Sequence, residues 1–196
     1  MTAREQKKEY RARLSERASA LEPAARAAES AAISDTVLRS FAFRQARTVF
    51  CFVSLPSEPD TRPILEETLR SGKTLLVPKC VGKTMVPVPV TDLSALKPGA
   101  YGIPEPVSLP SAPCPEPDLV LVPCVAASKT GARLGHGAGY YDAYLAACPA
   151  PKVCLCFDAL LLPDLPAEPH DVPMDAVVTA SGVFACANGG IALTRS

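Results

Sequence analysis

The feature that most constrains this chain is a strand-length apolar run that leads into a glycine-rich loop. Leu119 to Val125 is continuously apolar, residues 138–147 have the composition of a short helix, and residues 131–139 connect the two. An apolar run of this length is typical of a buried strand, and a strand followed by a loop and a helix is a common unit of α/β folds. The segment therefore predicts an α/β protein.

The loop itself has a composition suited to phosphate. Glycines at 135, 137 and 139 allow positive φ and a close approach to a ligand, and the following helix offers free N–H groups and the positive end of its dipole. Arg133 adds a forked cation. Asp142, in the first turn of the helix, could cap the dipole or help to hold the Mg²⁺ of a nucleotide triphosphate. The loop matches neither the P-loop nor the dinucleotide pattern, so a plain glycine turn is the alternative.

The rest of the chain alternates predicted helices and strands. Helices are expected at 3–21, 23–44 and 62–70, and strands at 48–55, 74–79, 85–90 and 152–157. A chain of 196 residues with 48% hydrophobic content is long enough for one domain with a full core. We therefore expect a single three-layer α/β/α domain over residues 1–196, with a mostly parallel central sheet and the N-terminal helices packed on it.

The charge composition favours a small-molecule ligand. Twenty basic and twenty acidic residues cancel, which gives no reason to expect nucleic acid or a membrane as a partner. The N-terminus lacks the apolar core of a secretory signal, and Glu5, Glu9 and Glu16 argue against a transit peptide. We expect a cytoplasmic monomer, with a mitochondrial location as the weaker alternative.

The cysteines and histidines do not form a recognisable metal site. The eight cysteines lie mostly in apolar runs, there are two histidines, and no CxxC occurs. This pattern predicts reduced, buried cysteines rather than disulfides or a structural zinc ion.

Two further sets of charged residues are placed where a ligand could reach them. Lys7 and Arg11 are four residues apart and project from one side of the first predicted helix, where the simpler interpretation is a solvated basic face. Glu58 follows a predicted strand, and open α/β sheets bind ligands beyond the carboxyl ends of their strands. An ordinary turn carboxylate is the alternative for Glu58.

Five blocks of sequence carry one resemblance. They are KKEYR at 7–11, VSLPSEPDT at 53–61, YGIPEP at 101–106, RLGHGAGYYDAYL at 133–145, and the spaced set Pro166, Glu168, His170, Asp171, Asp175, Val178 and Thr179. Together these blocks resemble the 5-formyltetrahydrofolate cyclo-ligase family, also called 5,10-methenyltetrahydrofolate synthetases. The resemblance implies ATP-dependent closure of 5-formyltetrahydrofolate to 5,10-methenyltetrahydrofolate, with ATP and Mg²⁺ as cofactors.

The resemblance also implies roles for individual residues. Arg133 and Tyr140 would act in catalysis, and Asp142 and Asp175 would hold Mg²⁺. The nucleotide would be bound by Lys7, Lys8, Arg11, Arg133, Leu134, Gly135, His136, Gly137, Ala138, Gly139, Tyr140 and Tyr141. The folate would be bound by Val53, Glu58, His136, Gly137, Ala138, Gly139 and Tyr140. For His170 and Asp171 a hydrogen-bonded loop anchor is the simpler alternative.

The chain departs from the family pattern at five positions, which would weaken substrate affinity and turnover. Cys124 stands where glycine is usual, Ala127 and Ser128 replace a Phe-Asp pair, and Ala143 and Leu160 replace arginine and glutamine. Two alternatives stay open. One is a folate- or nucleotide-binding protein without turnover, and the other is a sugar-phosphate isomerase or CoA-transferase-like enzyme of related architecture, which would not hydrolyse ATP.

Overall fold

The computed structural model describes residues 2–186 of the chain. The helices are α1 (Ala3–Ser19), α2 (Pro23–Arg39), α3 (Phe41–Gln45), α4 (Arg62–Arg70) and α5 (Tyr140–Leu145). The strands are β1 (Thr48–Cys51), β2 (Thr74–Val81), β3 (Thr84–Val90), β4 (Lys97–Pro98), β5 (Pro104–Glu105), β6 (Leu119–Val122), β7 (Ala126–Ser128), β8 (Arg133–Leu134), β9 (Lys152–Leu155), β10 (Leu161–Leu162), β11 (Ala176–Thr179) and β12 (Gly182–Ala185). Short 3₁₀ turns lie at Leu93–Ala95, Ala100–Gly102 and Asp158–Leu160.

Seven of the strands form one sheet in the order β12-β11-β9-β6-β1-β2-β3. The five inner strands are parallel to one another, and β3 and β12 pair antiparallel at the two edges. The predicted α/β class with a mostly parallel sheet is confirmed. After β1 the chain adds β2 and β3 on one side of that strand, and it later adds β6 and β9 on the other side. The direction in which strands are added therefore reverses between β1 and β6. A crevice beyond such a point is where open α/β sheets bind ligands.

Alternation along the inner strands places successive side chains on opposite faces of the sheet. Phe50, for example, packs in the cluster that contains Leu14 of α1 and Leu145 of α5. Its neighbour Val49 packs in the other cluster, with Val37 of α2 and residues of α3 and α4. The sheet is therefore covered by helices on both faces, and the predicted N-terminal helices do pack on it, α1 on one face and α2 on the other.

The predicted strand ends extend beyond the observed ends on the side of the sheet where the site lies. The runs expected to continue to residues 55, 125 and 157 stop pairing at Cys51, Val122 and Leu155. The following residues, such as Phe52 and Phe157, are nevertheless 2% and 1% exposed. Burial continues there although the ladder of backbone hydrogen bonds does not, so an apolar run alone overestimates the length of the strand.

Three helical predictions also change. The helix expected at 23–44 is divided at Ser40, whose extended backbone ends α2 and whose hydroxyl accepts a hydrogen bond from the amide of Phe43 to begin α3. α1 ends at Ser19 rather than at residue 21, and α5 is six residues long rather than ten. The helix predicted at 62–70 is confirmed. None of the helices within residues 2–186 has the length and apolar character needed to cross a bilayer.

At the C-terminal end, β12 pairs with β11 as an antiparallel edge strand. The hairpin that the Gly189-Gly190 pair suggested lies outside the described residues.

Candidate active site

A cavity of about 750 Å³ lies beyond the carboxyl ends of β1 and β6. The loop after β1 contributes Phe52, Val53 and Glu58 to its wall, and the segment after β6 contributes Pro123 and the glycine loop. This volume is in the range of small-molecule sites. The sheet topology therefore brings the two predicted ligand-binding segments to one place.

The glycine loop uses its glycines for two different purposes. Gly137 and Gly139 have positive φ values of 101° and 76°, as the sequence predicts. Gly135 does not have positive φ, so that part of the prediction is wrong. A Cβ at Gly135 would instead lie 2.7 Å from Nη1 of Arg133, so glycine is required there to make room for the guanidinium.

The backbone of the loop leaves donors available for a ligand. Within residues 2–186, no acceptor takes a hydrogen bond from the amides of residues 136–139. The loop also differs from a simple connection, since β8 lies inside the predicted loop and pairs antiparallel with β7. This small hairpin places Arg133 directly before the glycines.

Arg133 is held in the cavity wall by three contacts. Its Nη2 donates to Oδ1 of Asp142 at 2.8 Å, its Nη1 donates to the carbonyl of Pro123 at 3.3 Å, and its guanidinium carbon lies 5.8 Å from the ring centre of Tyr141. The residue is 8% exposed. Among the described residues its Nε has no hydrogen-bond partner, and the same holds for the hydroxyl of Tyr141, which also lines the cavity. Buried polar atoms without a hydrogen-bond partner are uncommon in folded proteins.

Of the three cations of α1 that the resemblance assigns to the nucleotide, Lys7 and Arg11 face the cavity and Lys8 does not. Arg11 donates from Nε to the carbonyl of Gly135 at 2.8 Å and packs against Gly137. Lys7 is 4% exposed and also lines the cavity. Lys8 is exposed and is not among the residues of the cavity wall, so the structure does not bring it to Lys7 and Arg11.

Two acidic residues from the far end of the chain hold Lys7 in position. Its ammonium group lies 2.9 Å from Oε2 of Glu168 and 2.6 Å from Oδ1 of Asp171. The hydrogen bond from Lys7 lowers the pKa of Glu168. Burial alone would raise the pKa of Asp171, but the bonds from Lys7 and from the amide of Glu168 outweigh it and lower that pKa. Both carboxylates are therefore ionised at neutral pH.

The predicted folate residues lie in the same cavity. Glu58 is 7% exposed; its Oε2 accepts from the amide of Leu55 at 2.8 Å, and its Oε1 lies 2.8 Å from Nε2 of His136. Val53 lines the cavity beside it. Tyr140 donates its hydroxyl proton to the carbonyl of Gly82 at 3.0 Å, and burial raises the pKa of its phenol, with Tyr101 adding to the effect. Tyr140 therefore remains a proton donor at neutral pH.

The two predicted metal ligands are not brought together in the cavity. Asp142 lines it; Oδ1 is bonded to Arg133, and Oδ2 accepts no hydrogen bond from the described residues. Asp175 is absent from the cavity wall; its Oδ2 accepts from the amide of Lys152 at 2.8 Å, at the start of β9. A further set of potential metal ligands at the cavity wall is Glu168, His170 and Asp171, whose ligand atoms lie within 4.8 Å of one another, although Lys7 already bonds two of them.

Comparison with known proteins identifies the family of this chain. The sequence profile of the 5-formyltetrahydrofolate cyclo-ligase family matches residues 3–180. The chain belongs to this family. A 5-formyltetrahydrofolate cyclo-ligase of Mycolicibacterium smegmatis is 38% identical over 143 residues, which cover 68% of this chain and 73% of that protein. The corresponding protein of Escherichia coli K12 is 33% identical over 152 residues, covering 71% and 81%.

The fold agrees with that assignment. The structure of 5,10-methenyltetrahydrofolate synthetase from Aquifex aeolicus superposes with a TM-score of 0.84 and 29% sequence identity, covering 93% of this chain and 94% of that one.

The five departures from the family pattern do not touch the cavity. Cys124, Ala127, Ser128, Ala143 and Leu160 are all absent from its wall. Cys124 packs below it and directs its thiol toward the carbonyl of Leu155, and Ser128 bonds within its own turn, to Thr130 and the amide of Ala132. Four of the five are buried and Ala143 is exposed on α5. The five departures therefore leave the residues that line the cavity unchanged.

Some residues of the cavity were not assigned from the sequence. Glu105 is 6% exposed, lines the cavity, and accepts from the amide of Cys80 at 3.3 Å. Tyr101 has a positive φ of 59° and stands 71% exposed at the cavity wall. Both lie in YGIPEP, a segment whose two prolines and isolated carboxylate were the available signal. Arg4, one turn before Lys7, also lines the cavity.

Proposed function

We propose that this chain catalyses the ATP-dependent cyclisation of 5-formyltetrahydrofolate to 5,10-methenyltetrahydrofolate, with release of ADP and phosphate. The observation that carries the proposal is the convergence of Lys7, Arg11, Arg133 and the free loop amides on the cavity that also contains Glu58. Cations and amide donors suit a polyphosphate, and a cavity shared with a second set of groups suits two substrates held side by side.

The reaction needs no nucleophile from the protein. The formyl oxygen attacks the γ-phosphorus of ATP, and the bond from that phosphorus to the bridging oxygen of ADP breaks. N10 of the same folate then attacks the activated formyl carbon and loses its proton, and phosphate leaves with the former formyl oxygen. The protein has to align the two substrates and stabilise the charge that develops on the transferred phosphoryl group.

Each group of residues has a part in this alignment. Arg133 and the amides of 136–139 bind the phosphates, and Lys7 and Arg11 approach them from α1. Arg133 is held for that task by Asp142 and Pro123. Glu58 and Tyr140 contact the folate. Lys8 is exposed, and Asp175 accepts a hydrogen bond from the amide of Lys152, so neither residue is assigned to ligand binding.

The residues present fit a magnesium ion that accompanies the nucleotide. Asp142 offers the free oxygen Oδ2 at the cavity wall, and Mg²⁺ prefers carboxylate oxygens together with phosphate oxygens. The ion would neutralise charge on the phosphoryl group during transfer.

The proposal is tested by following the absorbance of methenyl product from 5-formyltetrahydrofolate. We expect product with ATP and Mg²⁺, and none when ATP is omitted. Tight binding of both ligands in a calorimetric titration without product would favour the binding protein that lacks turnover. Product formed without ATP would contradict a ligase.

The metal role of Asp142 has a test of its own. We expect Asp142→Asn to raise the Mg²⁺ concentration for half-maximal rate about tenfold, because the amide keeps an oxygen for Arg133 but loses the charge that attracts the ion. Asp35→Asn, in an exposed pair with Arg39, is the control. If the Mg²⁺ titration is unaltered, the role of Asp142 is to bond Arg133 and not to bind the metal.

A further inference from the structure

We propose that His136 is a positioning residue that holds the Glu58 carboxylate for the folate and so links folate affinity to the glycine loop. The inference rests on the proposed function, because it concerns the same cavity. It assigns to the His136 side chain a role distinct from binding a phosphate.

Glu58 depends on its two hydrogen-bond partners. Its side chain is 4% exposed, and a carboxylate withdrawn from water needs hydrogen-bond donors in place of water. One oxygen is held by the amide of Leu55 at 2.8 Å, inside its own turn, and the other by Nε2 of His136 at 2.8 Å. The amide fixes the carboxylate relative to β1, whereas the imidazole fixes it relative to the glycine loop.

The chemistry of the pair sets the direction of the hydrogen bond. An ionised carboxylate can only accept, so Nε2 of His136 must carry the proton. The same proton cannot be donated to a phosphate while it is donated to Glu58. The His136 side chain is 47% exposed, so only the edge that carries Nε2 is committed to the pair.

The pair joins the loop that carries Glu58 to the glycine loop. Residues 58 and 136 follow β1 and β6, which are adjacent parallel strands, and the two residues are 78 positions apart in the chain. On either side of His136, the carbonyl of Gly135 accepts from Arg11, and Gly137 packs against the same guanidinium. A change in the loop when the nucleotide binds therefore reaches Glu58 through one hydrogen bond.

The test compares His136→Ala, His136→Gln and Glu58→Gln by steady-state kinetics with each substrate varied in turn. We expect His136→Ala to raise the KM for 5-formyltetrahydrofolate about tenfold and to change the KM for ATP much less. A tenfold change corresponds to the loss of one charge-assisted hydrogen bond that is half open to water. His136→Gln keeps a donor of similar reach and should recover most of the folate affinity. Glu66→Gln, in an exposed pair on α4, is the control for the charge change.

A double-mutant cycle decides whether the two residues act as a unit. If they do, His136→Ala combined with Glu58→Gln raises the KM for the folate no further than Glu58→Gln alone. Additive effects, equal rises in both KM values, or no recovery with glutamine would each overturn the inference while leaving the proposed function intact. Absence of product from the wild-type chain would instead overturn the proposed function, and the folate role of the pair with it.

A measurement that does not depend on turnover examines the contact itself. The chain has two histidines, so imidazole ¹⁵N spectra are readily assigned. We expect Glu58→Gln to shift the Nε2 signal of His136 and to leave that of His170 unchanged. If Glu58→Gln leaves the Nε2 signal of His136 unchanged, the proposed hydrogen bond between the two residues is wrong.

Discussion

Arg133 illustrates how a single side chain can organise a site. It is 8% exposed, and the cost of withdrawing its charge from water is offset by Asp142, by the carbonyl of Pro123 and by the face of Tyr141. These contacts use the planar, forked shape of the guanidinium rather than its charge alone. Its Nε is also buried and has no hydrogen-bond partner within residues 2–186.

Replacement of Arg133 by lysine tests whether shape matters more than charge. We expect Arg133→Lys to lower kcat/KM for ATP about 100-fold, because a compact ammonium group lacks the planar fork that reaches Asp142 and the Pro123 carbonyl from separate nitrogens. Arg39→Lys, in an exposed ion pair on α2, is the matched control. Wild-type kinetics for Arg133→Lys would remove the guanidinium from the mechanism.

Gly135→Ala tests the same guanidinium by placing a methyl group against it. The added Cβ would lie 2.7 Å from Nη1 of Arg133, and the long side chain can move aside. We therefore expect a drop of about tenfold in kcat/KM for ATP with little change in melting temperature. Gly72→Ala should show the reverse, a loss of about 1 kcal/mol of stability with unchanged kinetics, because Gly72 has a φ of +73° in open space. A large loss of stability in Gly135→Ala would contradict this explanation.

At the scale of elements, α1 is attached to the site by charge as well as by apolar packing. Leu14 and Ala18 pack into the core on one face of the sheet, while Lys7, two turns earlier, is bonded to Glu168 and Asp171. Apolar contacts alone would fix the position of the helix less closely, since they are not directional. The ion pairs set the position at which Lys7 and Arg11 reach the cavity.

This attachment predicts an acid-sensitive contribution to stability. The pKa values of Glu168 and Asp171 are lowered in the folded chain, so the pairs stabilise it above the ordinary carboxyl values of 4.5 and 3.8 and lose that effect as the pH falls through the lower folded values. We expect Lys7→Met to melt about 5 °C below the wild type at pH 7, and the difference to shrink as the pH falls through the lowered pKa values of the two carboxyl groups. Lys8→Met, at an exposed neighbouring position, should show no such dependence. A difference independent of pH would mean that Lys7 acts through packing alone.

For the molecule as a whole, the order of the strands decides where chemistry occurs. The strand order reverses between β1 and β6, so the segments that follow them can form a cavity while helices cover both faces of the sheet. That residues 1–196 form one domain, and that the chain is a cytoplasmic monomer, stay predictions. Light scattering of the purified chain would test the monomer directly.

The cysteines provide a prediction that covers the whole molecule. All eight are free, and only Cys80 and Cys114 are partly exposed. Burial raises the pKa of the Cys51 thiol, and burial together with Glu105 raises that of Cys80 to about 11. We expect a thiol reagent at neutral pH to label at most two sites slowly in the folded chain and all eight after denaturation.

Ligands should change this labelling at one site only. Cys80 lines the cavity and Cys114 does not, so 5-formyltetrahydrofolate with ATP should protect Cys80 and leave Cys114 reactive. Rapid labelling of additional thiols in the folded chain would contradict the burial described for them.

The sequence by itself determined the elements and the kind of ligand. Apolar runs such as 119–122 and the positive φ of Gly137 and Gly139 depend on local residue types, as does the placement of Arg133 directly before the loop. The blocks at 7–11, 53–61, 101–106 and 133–145 were sufficient to indicate the family. Strand ends were less well predicted, because buried residues continue beyond the last backbone pair.

The tertiary structure alone decided the partners of these residues. Lys7 meets Asp171 across 164 positions and Glu58 meets His136 across 78, and no local pattern encodes either contact. It also separated Lys8 and Asp175 from the cavity, although they belong to blocks that resemble the family. The physical reason is that a residue type sets what a side chain can bind, whereas the packing of distant segments on a shared sheet sets what it meets.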